Sequence, residues 1–147
     1  IREGEIYMTA SKYNSEGYYD PTTYEALSRI EREERVARYR PLVYICSPYS
    51  HGCINTNIEN ARKYSRFAVD RHYLPITPHI YFTQFMDDTV FEERETAILM
   101  NLVLMSKCVE LWVFGDTISA GMKAEIERAE RKHMKIRYFT EELEEKE

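Results

Sequence analysis

The stretch Leu111-Trp112-Val113-Phe114 followed by Gly115-Asp116-Thr117-Ile118-Ser119-Ala120-Gly121-Met122-Lys123-Ala124-Glu125-Ile126-Glu127 decides the fold. Four apolar residues in a row read as a strand buried on both faces, which is the habit of parallel sheets. The strand ends at a glycine turn, and Ser119 is placed to cap a following helix. Gly121 leaves room for close approach at that helix start. Glu125 lies one turn further on the same stripe, four residues on. A strand, a turn and a helix N-terminus in this order is where open α/β sheets hold their ligands. The question is whether Glu125 does chemistry there or only salts a helix beside Glu127 and Glu130.

Working outward, the same alternation recurs from Leu42 onward. Leu42-Val43-Tyr44-Ile45-Cys46 is a second continuous apolar run, and Ser47 to Gly52 is the turn after it. A helix is expected from about Asn57 to His72, a short strand from Tyr73 to Thr77, and a short helix or aromatic loop from His79 to Phe85. A long helix is expected from Phe91 to Ser106, with Asp87-Asp88 as its cap. A strand from Cys108 to Phe114, the Ser119 helix and a strand from Lys135 to Phe139 complete the series. Strand and helix alternating in this way predict a three-layer α/β sandwich with a short parallel sheet, flavodoxin-like in outline. The domain spans 41–147. Residues 1–40 form an extension: an irregular arm, then a helix opening at Asp20-Pro21 and ending near Tyr39. The tail from Glu141 to Glu147 reads as an acidic, partly helical, solvated end.

Composition narrows the functions. The chain has 147 residues, a 44% apolar fraction and a net charge of −5. That length supports one core without disulfide or metal staples. The acidic balance argues against a nucleic-acid polymer as partner, since phosphate backbones need a basic face. Three cysteines (Cys46, Cys53, Cys108) are an odd number, and two sit in core runs, which points to reduced thiols and a cytoplasmic protein. No run is long enough to span a membrane, so no membrane partner is expected. His51, Cys53 and His79 lack zinc-like spacing, so no metal is expected. Neither a Walker nor a dinucleotide fingerprint occurs, and no cofactor is expected.

The loops at the carboxyl ends of the strands carry polar groups that plain connections do not need. They are Ser47, Pro48, Tyr49 and Asn57 in the first, His79 and Asp88 in the second, and Ser119, Gly121, Met122 and Glu125 in the third. Tyr44-Ile45-Cys46-Ser47-Pro48-Tyr49, then Asn57 and Ala61, then Pro78-His79, then Ser119, Gly121, Met122 and Glu125 resemble the nucleoside 2-deoxyribosyltransferase superfamily. The likeness is greatest to its small bacterial and phage-borne members, and it covers residues 42–139.

The resemblance implies cleavage of an N-glycosidic bond, with the matching Glu125 attacking the anomeric carbon of a deoxyribose. A nucleobase or water would then take the sugar. It further implies that Ser47 and Ser119 hold the sugar or its 5'-phosphate and that Tyr49 lines the pocket. The family carries an aspartate on the preceding long helix, and the matching position here is Asn101. Asparagine can bond a base edge but gives no proton to a leaving nitrogen. A second family aspartate, entering the third strand, is Val109 here. Two other readings therefore stay open. One is a catalytically silent nucleotide-binding or sensing protein. The other is a relative that releases base from a ribosyl monophosphate, although that group's double glycine is absent near Ile118. The partner expected in each case is a small nucleoside or nucleotide. A homo-oligomer, dimer or higher, is also expected, with Tyr18, Tyr19 or the tail completing a neighbour's pocket.

Overall fold

The computed structural model describes Tyr13, Glu16, Gly17 and residues 20–147. Tyr18 and Tyr19 lie outside the described residues. The chain divides into two compact units, Ile1–Tyr39 and Arg40–Glu147. In the first, helix α1 spans Pro21–Arg38. Asp20 caps it, its carboxylate accepting from the Thr23 amide at 3.1 Å and the Thr23 hydroxyl at 2.8 Å. Pro21 takes the first helical position, where no amide is needed. None of its residues is buried.

The second unit holds the sheet: β1 (Leu42–Cys46), β2 (Leu74–Ile76), β3 (Glu110–Phe114) and β4 (Lys135–Phe139). All pairings are parallel and the order is β2-β1-β3-β4. Between them run α2 (Ile54–Asp70), α3 (Pro78–Tyr81), a 3₁₀ turn over Phe82–Gln84, α4 (Phe91–Met105) and α5 (Ala120–Arg131). Strand parity separates two layers of core. Val43, Ile45, Trp112, Phe114 and Phe139 pack with Tyr64 and Ala68 of α2 on one face. Tyr44, Cys46, Leu111 and Val113 pack with Met105 of α4 and with Met122 and Ala129 of α5 on the other. This is the flavodoxin-like α/β sandwich that the alternation predicts. From β1 the chain crosses to β2 on one side, and from β3 it crosses to β4 on the other. The carboxyl ends of β1 and β3 therefore flank the topological switch point, where such sheets form a crevice.

Four local expectations are corrected. Helix α2 begins at Ile54, three residues before Asn57, because Asn57 is not a cap. Its amide nitrogen reaches back to the carbonyls of Tyr49 (2.7 Å) and His51 (2.8 Å) and holds the loop over the helix start. Asp87 and Asp88 do not cap α4 either; Val90 occupies that position. Asp87 instead turns on itself, accepting from the amide and hydroxyl of Thr89 at 2.9 and 2.6 Å. The tail is not helical, although its glutamates are exposed as expected. It folds back so that Glu145 bridges Phe139 in antiparallel sense, and Lys146 donates to the Tyr138 carbonyl at 2.8 Å. Arg137 and Glu145 form a two-pronged ion pair, both contacts 2.8 Å, and Leu143 packs on the α2-side core. A bidentate charged pair and an apolar contact outweigh the like charge along the tail. Cys108 precedes β3 rather than opening it, and is still buried.

The turn after β3 depends on Gly115, whose φ of +93° is open to glycine and costly for other residues. Its amide donates to the Phe139 carbonyl at 3.0 Å, and the Lys146 ammonium donates to its own carbonyl at 3.1 Å. Lys146 also meets Asp116 at 2.8 Å. The tail thus ties down the turn that aims α5. Gly115→Ala is expected to lower stability by about 1–2 kcal/mol, read as a shift in the urea midpoint with an unchanged slope. An unchanged midpoint would mean the turn relaxes freely.

Candidate functional site

Glu125 comes to the switch point because α5, capped by Ser119, packs on the sheet face that carries Tyr44, Cys46, Leu111 and Val113. Ser119 takes the N-cap position and its hydroxyl oxygen accepts from the Met122 amide at 3.3 Å. One turn later Glu125 points back toward the sheet. The Tyr44 hydroxyl donates to its carboxylate at 3.1 Å. Cys46, two residues along β1 and so on the same face, reaches toward the Met122 carbonyl at 3.9 Å. Met122 is buried in this layer, so it fastens α5 rather than opening to solvent. Gly121 faces open space, with no protein atom within 4 Å of where a Cβ would stand. The fold does not require a glycine there, and the room is left beside the helix N-terminus.

Burial pushes the Glu125 carboxyl up to about 7, against the opposing pull of the Cys46 and Tyr44 hydrogen bonds. The Tyr44 phenol is raised well above its ordinary range, first by burial and then by the Glu125 charge. The Cys46 thiol is raised for the same two reasons, which keeps it protonated and able to donate. A carboxylate that accepts from a buried phenol and titrates near neutrality is an arrangement suited to nucleophilic or acid–base work.

The first and second loops meet each other. Ser47, at the end of β1, lies 3.0 Å from Nε2 of His79. Burial holds His79 down at about 4, so the imidazole is neutral at pH 7 and the pair shares a single proton bond rather than a charge. His79 follows Pro78 at the start of α3, and its carbonyl accepts from Thr83 at 2.8 Å. The Tyr49 ring tilts against the His79 ring with centroids 6.3 Å apart. Burial, then the nearby charge of Asp88, raises the Tyr49 phenol. Asp88 itself is exposed, and Pro48 is half-buried between Ser47 and Tyr49.

Of the residues singled out in the sequence, Ser47, Tyr49, Asn57 and His79 form one connected cluster. Ser119, Gly121, Met122 and Glu125 share the first two turns of α5. Asn57 spends its amide nitrogen on the loop backbone. Asn101 lies on α4, and its Oδ1 is buried with no hydrogen-bond partner among the described residues. Two members were not anticipated. Tyr44 and Cys46 read as core in the sequence, yet Tyr44 holds the carboxylate and Cys46 reaches the helix that carries it. The available signal was a phenol and a thiol at alternate positions of an otherwise aliphatic strand. Among the described residues, no group of three or more His, Cys, Asp and Glu side chains could hold a metal, and no helix is long and apolar enough to cross a membrane.

Among solved structures, the chain is similar to one described as the 2-deoxyribosyltransferase of the psychrotolerant bacterium Bacillus psychrosaccharolyticus. The TM-score is 0.57 at 15% sequence identity, over 67% of this chain and 72% of that one. Similarity at that identity is a likeness of fold. Comparison with curated proteins gives no match. A family model matches residues 41–139, which is the sheet unit from the residue before β1 to the end of β4. The chain belongs to that family, described as a domain of unknown function (DUF7768).

Proposed function

We propose that the protein cleaves the N-glycosidic bond of a nucleoside or nucleotide, or transfers its deoxyribosyl group, with Glu125 as nucleophile. The observation that carries this reading is Glu125 itself, held at the switch point with the Tyr44 hydroxyl 3.1 Å away. The fold likeness to a deoxyribosyltransferase supports it. In the proposed step a Glu125 oxygen attacks the anomeric carbon as the carbon–nitrogen bond breaks, and the bonding pair leaves with the base. The resulting glycosyl ester is then opened by a second base or by water. A carboxylate suits this work because it stabilises an oxocarbenium-like transition state and divides one hard step into two. Ser119 and the open space at Gly121 suit the sugar or its 5'-phosphate at a helix N-terminus. Ser47, His79 and Tyr49 suit the wall of the pocket, and the free Oδ1 of Asn101 suits the exocyclic amine of a base.

The reading is tested by incubating the protein with a panel of deoxynucleosides and their monophosphates and following free base by chromatography, beside Glu125→Ala. Release by the wild type and none by the variant is expected. A second reading rests on Asn101, which has no proton to give a leaving base. On that reading the protein binds nucleotides without turnover, and the panel gives no free base but raises the melting temperature.

The nucleophile works only as the carboxylate, so kcat/KM should rise with pH and level off above about 7. Tyr44→Phe removes one donor to the ionised form and should move that limb to higher pH, with a smaller change on the plateau. A limb that stays in place would mean that Tyr44 does not tune Glu125.

A further inference from the structure

Helix α4 contains the run Ala97-Ile98-Leu99-Met100-Asn101-Leu102-Val103-Leu104-Met105, in which Asn101 alone is polar. A helix apolar on all sides is normally covered on all sides. Here Met105 is buried against the sheet, whereas Phe91, Ile98, Leu99 and Val103 are 67%, 50%, 64% and 61% exposed. At 100° per residue, Phe91, Glu95, Leu99 and Val103 follow one stripe, with Glu92 on its border. The stripe runs the length of a helix about 22 Å long. Its charges are sorted by end. Glu92 and Glu95 lie near the start, and Lys107 lies just past the finish. Among the described residues none of these three enters an ion pair.

We infer that this face is a dimer interface, in which α4 packs antiparallel against α4 of a second copy about a two-fold axis at Leu99. A surface that is acidic at one end, basic at the other and apolar between complements itself when turned through a half-circle. With the axis at Leu99, Glu95 of one copy faces Val103 of the second, and Glu92 and Glu95 come within a turn of its Lys107. The two helix dipoles oppose each other, which also favours antiparallel packing. The inference is independent of the chemistry at Glu125.

Light scattering after size exclusion of the full chain at micromolar concentration should give a dimer. Leu99→Glu sets two carboxylates together on the axis and should weaken the dimer at least about a hundredfold. Because Leu99 is exposed in the single copy, the far-ultraviolet circular dichroism should be unchanged. The register is tested by oxidative cross-linking with Cys53 replaced by serine. Leu99→Cys should couple to itself, and Glu95→Cys should couple to Val103→Cys in a mixture but not to itself, since a disulfide tolerates little separation. Arg94→Cys, off the stripe, should stay uncoupled. A wild-type monomer, or Arg94→Cys coupling as fast as Leu99→Cys, overturns the inference.

Discussion

Replacing Glu125 by glutamine is expected to cut base release by about three orders of magnitude or more, as loss of a covalent nucleophile does elsewhere, while making the protein more stable at alkaline pH. Both effects come from the same burial. The folded state holds the carboxyl up at about 7, above its ordinary 4.5. A raised acid favours the protonated form, so the native state is at its best below the ordinary value. It loses stability as pH climbs from there through 7, where the buried group is forced to ionise. The full difference is about 3 kcal/mol at pH 8 and above. Glutamine keeps the shape and never ionises. Urea melts should therefore favour Glu125→Gln at pH 8 and show little difference at pH 4. A variant that loses activity but gains nothing at pH 8 would mean that the carboxylate is solvated, and its placement between Tyr44 and Cys46 would be wrong.

The largest effect on stability is expected at Trp112, the chain's single tryptophan. It is wholly buried in β3, with Tyr73, Phe139 and Phe67 rings at 4.7, 5.1 and 5.9 Å and the Arg137 guanidinium 5.0 Å above it. Trp112→Ala should cost about 4 kcal/mol, from lost transfer and the cavity left among rings that cannot collapse. That is a large share of the ~5–15 kcal/mol typical of a domain. Trp112→Phe should cost much less, about 1 kcal/mol. The indole Nε1 is buried without a hydrogen-bond partner among the described residues, so removing it offsets part of the lost packing. Circular dichroism must follow the transitions, because the alanine variant has no tryptophan to report. Equal costs for the two variants would contradict the packing described.

The order of elements was legible because β1 and most of β3 are continuous apolar runs and α2 and α5 keep a helical period. Leu42–Cys46 and Lys135–Phe139 could be read directly, as could the helix after Ser119. What could not be read depends on partners far along the chain. Tyr44 and Glu125 are 81 residues apart, and a phenol in an aliphatic strand does not say which distant side chain it meets. Asn57 has the side chain of a cap, but its anchors are the carbonyls of a loop whose path only the fold defines. The tail is acidic and exposed, but its return along β4 follows only once Arg137 is placed opposite Glu145. The polar residues of the three loops were recognisable by position, since parallel strands bring their carboxyl ends together. Their pairing, Ser47 with His79 and Asn57 with the Tyr49 loop, required the coordinates.

The proposed reaction rests on a bond between Glu125 and a sugar. The most direct measurement is mass spectrometry of acid-quenched protein after brief incubation with each deoxynucleoside and deoxynucleotide of the panel, followed by peptide mapping. The predicted result is a deoxyribosyl adduct on the peptide carrying Glu125, formed with release of base and absent in Glu125→Gln. Base release with the adduct on another residue, or release that persists in Glu125→Gln, would contradict it.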